Sequence, residues 1–192
     1  MTETTHQTQR ASAGSAWLTR YYFTRAVFSV VWVGAAFALA GGATASVAAL
    51  LIIYPAWDAA ANFVDAQRNG GLASNPTQAF NSVVSVATTV AVAVALAVSM
   101  NAVLGVFGVW AALSGLLQLA TAVRRWKGYG AQWPMILSGV QSTGAGIMML
   151  LQSNGPETPD ITAIAPYAAF GAFYFLVSAI WLTVSEALQR RS

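Results

Sequence analysis

The fold class of this chain is decided by residues 80–123, FNSVVSVATTVAVAVALAVSMNAVLGVFGVWAALSGLLQLATAV, which carry no charged side chain. The stretch is long enough for two membrane-spanning helices of about 20 residues each. We expect the turn between them near Met100 and Asn101. Such a run is too apolar for the surface of a soluble domain. The sequence therefore predicts an all-α, polytopic integral membrane protein.

Basic residues lie in clusters on both sides of this stretch and toward both ends of the chain. They are Arg10, Arg20, Arg25, Arg68, Arg124, Arg125, Lys127, Arg190 and Arg191. Folding the apolar sequence into three helical hairpins places all of them on one side of a membrane, which is the positive-inside pattern of cytoplasmic loops. We therefore predict six transmembrane helices, in hairpins of about residues 22–67, 80–123 and 134–188, with both termini in the cytoplasm.

Composition supports a single membrane domain. Charged residues make up 8% of the chain, against roughly 25% in an ordinary globular domain. Residues 1–20 are polar with mixed charges, so we expect a mobile cytoplasmic tail there and a membrane domain over residues 21–192. The lipid bilayer is the predicted partner, because the net charge of +3 favours anionic headgroups over nucleic acid. A homo-oligomer and contacts with other membrane proteins are both compatible with this sequence.

Similar marks occur in each predicted hairpin. The second helices carry an aromatic residue, a Gly or Pro, a small residue and another aromatic residue, in Tyr54-Pro55-Ala56-Trp57, Phe107-Gly108-Val109-Trp110 and Phe170-Gly171-Ala172-Phe173. The first helices carry Val27-Phe28-Ser29, Val83-Val84-Ser85 and Ile136-Leu137-Ser138. Their order along the chain predicts that the hairpin is an internal repeat.

With these marks and three short Gly-, Ala- and Val-rich hairpins, the chain from about Tyr22 to Glu186 resembles the short-repeat membrane family that contains the HdeD acid-resistance proteins of bacteria. The resemblance implies a six-helix protein of the bacterial inner membrane. It also implies a role in acid or envelope stress resistance, as proposed for some members. It supplies no catalytic motif and no cofactor.

Asp58, Asn62 and Asp65 are the most informative polar residues within the predicted spans. Their spacing of i, i+4 and i+7 places them on one helix face. If hydropathy alone sets the start of this helix at Gly42, the acids lie at a wetted cytoplasmic end and form ion pairs with nearby arginines. This interpretation assigns them a structural role.

Aligning Trp57 with Trp110 gives a different depth for Asp58. The residue then lies about 15 Å from the external turn, close to the middle of the bilayer. An ionised carboxylate at that depth needs a partner, water or a proton. We therefore expect a polar pocket shared with Asn62, with Arg25 or a glutamine from another helix as the counter-group. Both interpretations stay open at this point.

Other polar residues are predicted to serve packing. Ser114, Gln118 and Gln141 lie within spans, where such groups hydrogen-bond across helices. Cysteine is absent, and His6 is the one histidine, so a thiol nucleophile and a histidine-based metal or acid–base site are excluded. We predict no enzymatic activity, no metal and no cofactor. The alternative to a stress-resistance role is a small proton- or cation-linked transporter or channel with Asp58 as its ion site.

Overall fold

The computed structural model describes the backbone of residues 2–42, 44–125 and 133–189. These residues form six α-helices: α1 (Thr2–Ala38), α2 (Thr44–Arg68), α3 (Pro76–Ala95), α4 (Met100–Arg125), α5 (Trp133–Ser153) and α6 (Ala165–Gln189). Two short 3-10 helices, Leu72–Ser74 and Ile161–Ala163, precede α3 and α6. No strand occurs in these ranges, so the prediction of an all-α protein is confirmed.

Five helical segments in the described ranges are long and apolar enough to cross a membrane. They are Ala16–Ala38, Thr44–Arg68, Pro76–Ala95, Met100–Ala120 and Ala165–Leu188. By length and composition the chain is a helical, multi-pass membrane protein. The helix α5 is not among the five, so six spans and three repeated hairpins stay predictions. The helix α1 begins at Thr2, within the segment 1–20 for which we predict a mobile tail.

The connection between α2 and α3 follows from its turn residues. Gly70 and Gly71 have φ angles of 99° and 90°, a region that residues with a Cβ rarely adopt. The side-chain amide of Asn75 donates to the carbonyl of Gly71 at 2.9 Å and closes the loop. Pro76 opens α3, where the missing N–H leaves no hydrogen bond unmade. The segment between Arg68 and Pro76 is therefore a tight connection between the two helices.

Two other connections are short. The turn after α1 includes a hydrogen bond from the Gly42 N–H to the carbonyl of Leu39 at 2.8 Å. The helix α4 already begins at Met100, so the α3–α4 turn lies just before the predicted one. Several basic side chains lie outside the described part of the structure. They are those of the cluster Arg124, Arg125 and Lys127 and those of Arg190 and Arg191.

The chain divides into two compact units. The first consists of Met1–Val31 and Ala168–Ser192, and the second of Trp32–Tyr167. In the first unit the guanidinium of Arg25 donates to the Tyr21 hydroxyl at 2.8 Å. Its central carbon lies 4.3 Å from the centre of the Phe175 ring, a cation–π contact. In the second unit α4 packs extensively against α5 and α2 against α3, with a smaller contact between α3 and α4.

Aromatic rings gather in the core of the second unit. The ring centres of Trp32 and Tyr54 are 4.7 Å apart, and Tyr54 and Tyr167 each lie 6.0 Å from Trp110. Phe107 meets Trp110 edge to face at 5.9 Å, a favourable arrangement for aromatic pairs. The side chains of Trp32 and Trp110 are buried in this core, at 2% and 5% exposed. Aromatic residues of the first two repeat marks therefore meet in one cluster.

Candidate functional site in the second helix pair

The helix α2 contains a proline one turn before its first acid. Pro55 has no N–H, so the carbonyl of Leu51 lacks its usual partner in the helix. The adjacent carbonyl of Leu50 accepts a hydrogen bond from Nε1 of Trp32 at 2.8 Å, on α1. A side chain from another helix therefore supplies a donor beside the disturbed turn.

The carboxylate of Asp58 is held by polar groups from two helices. Its Oδ2 atom accepts a hydrogen bond from Oγ of Ser85 on α3 at 2.7 Å and one from Nδ2 of Asn62 at 3.0 Å. Ser85 is 1% exposed and Asn62 is 8% exposed, while Asp58 itself is half-buried. One polar partner of Asp58 from a neighbouring helix in this unit is thus a serine. The sequence marked Ser85 only as part of the repeat.

The second acid repeats this arrangement two helical turns later. Asp65 is 7% exposed, and its Oδ1 atom accepts a hydrogen bond from Nδ2 of Asn69 at 2.9 Å. Gln78 on α3 lies at the limit of hydrogen-bonding distance, with Nε2 3.5 Å from Oδ2 of Asp65. Each Asp is therefore clamped by the Asn four residues later and approached by a donor from α3. The repeated Asp-x-x-x-Asn spacing was a signal for this pattern, and sequence reasoning missed Asn69 and Gln78.

The asparagine of each clamp also donates to the helix backbone. Nδ2 of Asn62 lies 2.8 Å from the carbonyl of Asp58, and Nδ2 of Asn69 lies 2.8 Å from the carbonyl of Asp65. Ser82 adds a second link between the helices, because its Oγ donates to the carbonyl of Ala59 at 3.0 Å. We call this set the polar seam: Asp58, Asn62, Asp65, Gln78, Ser82 and Ser85.

Apolar side chains continue past Asp58 on the exposed surface of the helix pair. Phe63 and Val64 on α2, and Phe80 and Val83 on α3, are between 43% and 67% exposed. They lie between the level of Asp58 and the loop at residues 69–75. Asp58 precedes the end of α2 at Arg68 by ten residues, or about 15 Å of helix. The depth of Asp58 in a bilayer stays a prediction. Its partners Ser85 and Asn62 lie between α2 and α3, whose outer surfaces are apolar.

Arg25 belongs to the first unit, where it contacts Tyr21 and Phe175. Its role as counter-group to Asp58 stays a prediction.

The helices α4 and α5 bring together other polar residues that the sequence singled out. Oε1 of Gln118 on α4 accepts a hydrogen bond from Oγ of Ser138 on α5 at 3.1 Å. Oγ of Ser142 donates to the carbonyl of Ala111 at 2.8 Å. Ser114 and Gln141 are half-buried on the same two helices. Polar contacts here involve neutral groups.

The main feature of the α4–α5 pair is the close approach of its backbones at glycines. A Cβ atom on Gly146 would lie 2.5 Å from the backbone nitrogen of Ala112 and 2.6 Å from the carbonyl oxygen of Gly108. One on Gly115 would lie 2.5 Å from the carbonyl oxygen of Gly139. Only glycine fits at such distances, and small residues allow this approach in membrane helices. The helices α4 and α5 therefore pack backbone to backbone at these glycines.

Among the residues that the structure describes, no group of three or more His, Asp or Glu side chains is placed to hold a metal ion. The acids Glu157 and Asp160 are exposed near the start of the 3-10 helix before α6, and Asp160 caps it by accepting from the N–H of Thr162 at 2.8 Å.

Comparison with protein families gives one match. Residues 80–151 match a family described as a short repeat of unknown function (DUF308), the short-repeat family that contains the HdeD-type proteins. The match covers most of α3, all of α4 and most of α5, which is less than half of the chain. Comparison with curated proteins and with solved structures gave no match. The helix α2, with Asp58 and Asp65, lies outside the matched segment.

Proposed function

We propose that this protein is a non-enzymatic, multi-pass protein of the bacterial inner membrane that contributes to acid or envelope stress resistance, a role proposed for some members of the short-repeat family that contains the HdeD-type proteins. The observation that supports it is the backbone contact between α4 and α5, which lies inside the segment matched by the short-repeat family. Helices whose backbones touch leave no space between them for a solute. This part of the chain is therefore suited to packing rather than to transport.

The test is survival of an acid challenge in a bacterial host without its own protein of this family. Cells that produce the full chain are expected to survive better than cells with an empty vector. The Gly115→Ala variant disturbs the α4–α5 contact and should lose this protection. Gly144→Ala is the matched control, because a Cβ on Gly144 meets no atom within 4 Å. Equal survival with and without the protein, at a verified amount in the membrane, contradicts the proposal.

We further propose that both termini and the loop at residues 69–75 lie in the cytoplasm. The chain contains no cysteine, so single cysteines can be introduced as reporters. Ser74 and Glu157 are exposed in different loops. A membrane-impermeant maleimide should label Glu157→Cys in intact spheroplasts and Ser74→Cys only after permeabilisation. The opposite pattern reverses the orientation.

A second candidate is a small proton- or cation-linked transporter or channel with Asp58 as the ion site. The observation that favours it is the carboxylate of Asp58 held by Ser85 and Asn62 within two helices that are candidate spans. A charged side chain at the centre of a membrane helix costs at least about 2.5 kcal/mol on insertion scales. Such residues are therefore commonly functional.

Flux into reconstituted vesicles tests this candidate. Asp58→Asn removes the charge and keeps an oxygen that accepts from Ser85, so it should abolish proton or cation flux without loss of folding. Asp160→Asn is the control, because Asp160 is exposed and asparagine is also a good helix cap. Flux no greater than in protein-free vesicles, or flux unchanged by Asp58→Asn, removes the candidate.

A further inference from the structure

A groove lies between α2 and α3 beside the polar seam. Its volume is about 400 Å³, and it is lined by Ala56, Ala59, Ala60, Phe63, Ser82, Val86, Thr89 and Val90. Phe63, Val86 and Val90 are 45%, 53% and 60% exposed. The groove is therefore open along its exposed side chains to the surroundings of α2 and α3.

The lining offers apolar contact and no free hydroxyl donor. Oγ of Ser82 donates to the carbonyl of Ala59 at 3.0 Å, and Oγ1 of Thr89 donates to the carbonyl of Ser85 at 2.7 Å. The other lining residues are alanine, valine and phenylalanine. A polar ligand would lose its hydrogen bonds to water without replacement here, which is unfavourable. The occupant is therefore expected to be apolar.

The position of the groove along α2 corresponds to one leaflet of a bilayer. Ala56 and Phe63 precede the end of the helix at Arg68 by twelve and five residues. These separations correspond to about 18 and 8 Å of helix, while half of the hydrocarbon core is about 15 Å thick. If α2 crosses the bilayer as the candidate span Thr44–Arg68, the groove lies at the depth of the acyl chains next to the loop at residues 69–75.

The rims of the groove favour a thin chain over a second helix. On α4 and α5, glycines let two backbones touch. Ala56 and Ala60 on α2 line the groove with small side chains, while the bulkier Phe63 on α2 and Val90 on α3 line it with substantial exposure. A helix with its side chains is about 10 Å across and needs small residues for close approach, whereas a methylene chain fits between bulky rims.

We propose that this groove binds an acyl chain of a phospholipid from the leaflet next to the loop at residues 69–75. The site does not depend on the function proposed above, so each can fail without the other. The first experiment uses the full, unmodified chain in vesicles of a phospholipid with a diazirine on its acyl chain. Photocrosslinked residues are then mapped by mass spectrometry.

The groove residues are compared with an exposed apolar face of α4 formed by Val109, Leu113 and Leu116, which are 45% to 52% exposed. A bound acyl chain makes several more close contacts than a passing one, so crosslinking per residue should be at least about threefold higher in the groove. Equal yields at the two faces overturn the proposal.

Substitutions provide the second experiment. Ala60→Phe fills the groove and should lower its crosslinking to the level of the α4 face. Ala87→Phe is the matched control, because Ala87 is an exposed alanine of α3 outside the groove. Full crosslinking in Ala60→Phe overturns the proposal. So does a disulfide-linked dimer of Ala60→Cys in the bilayer, because it places a second copy of the chain at this surface.

Discussion

The helix pairs α2–α3 and α4–α5 belong to the same unit, and each packs along an extensive contact, but they are joined by different chemistry. The α4–α5 pair is joined by backbone contact at glycines, with neutral hydrogen bonds beside it. The α2–α3 pair is joined through side chains, and two of them are carboxylates. Helix separation depends on the side chains at the contact. We call α4–α5 the glycine pair and α2–α3 the polar pair. Close backbone contact stabilises the glycine pair through dispersion, whereas the polar pair is stable only if its buried polar groups are all hydrogen-bonded.

This difference indicates where the chain departs from a plain packing repeat. The family match includes both helices of the glycine pair but only α3 of the polar pair. Burying Asp65 and part of Asp58 has a free-energy cost that an apolar helix face would avoid. Proteins commonly break packing rules at functional sites. The polar seam is therefore the part of the chain in which experiments on function have the most to show.

The largest expected effect is on the glycine pair. In Gly115→Ala the new methyl group meets the backbone of Gly139 and both the backbone nitrogen and the hydroxyl of Thr143. Backbone atoms of a helix cannot move aside alone, so the free energy of unfolding should fall by about 2 kcal/mol. The measurement is SDS-induced unfolding in mixed micelles. Gly144→Ala, at an open position, should not lose stability. Equal stability of the two variants contradicts the close contact.

The next effect concerns the charge in the polar seam. Ser85→Ala removes the hydroxyl that donates to Asp58, and hydrogen bonds to charged groups contribute about 1.5 kcal/mol or more. Ser82→Ala removes a bond to the neutral carbonyl of Ala59 and should lower the unfolding free energy by only about 0.6 kcal/mol. In an Asp58→Asn background the loss from Ser85→Ala should shrink to the value for Ser82. If it does not shrink, the charge of Asp58 does not strengthen this bond.

The smallest effect concerns neutral hydrogen bonds in the glycine pair. Ser142→Ala removes the bond to the carbonyl of Ala111 on α4, for an expected loss of about 0.6 kcal/mol in unfolding free energy. Ser178→Ala is the control, because its hydroxyl bonds to Tyr174 in its own helix. A loss for Ser142 as large as that for Gly115→Ala would mean that hydrogen bonding, rather than backbone contact, holds this pair together.

The sequence by itself determined the all-α class, the approximate helix ranges and the shared face of Asp58, Asn62 and Asp65. Each of these follows from local rules: apolar runs bounded by turn residues, and a helical period that places residues four apart on one side. The connection between α2 and α3 is likewise indicated by local signals, the turn residues Gly70 and Gly71 and the helix-starting Pro76.

Only the tertiary structure decided which helix faces which. It paired Asp58 with Ser85 and Gly108 with Gly146, across the loops that separate the predicted hairpins rather than within them. The physical reason is that lipid is as apolar as the helices, so burial does not select neighbours. Shape and hydrogen bonding select them instead. Both depend on atoms from distant segments, which a periodic pattern in one helix does not specify.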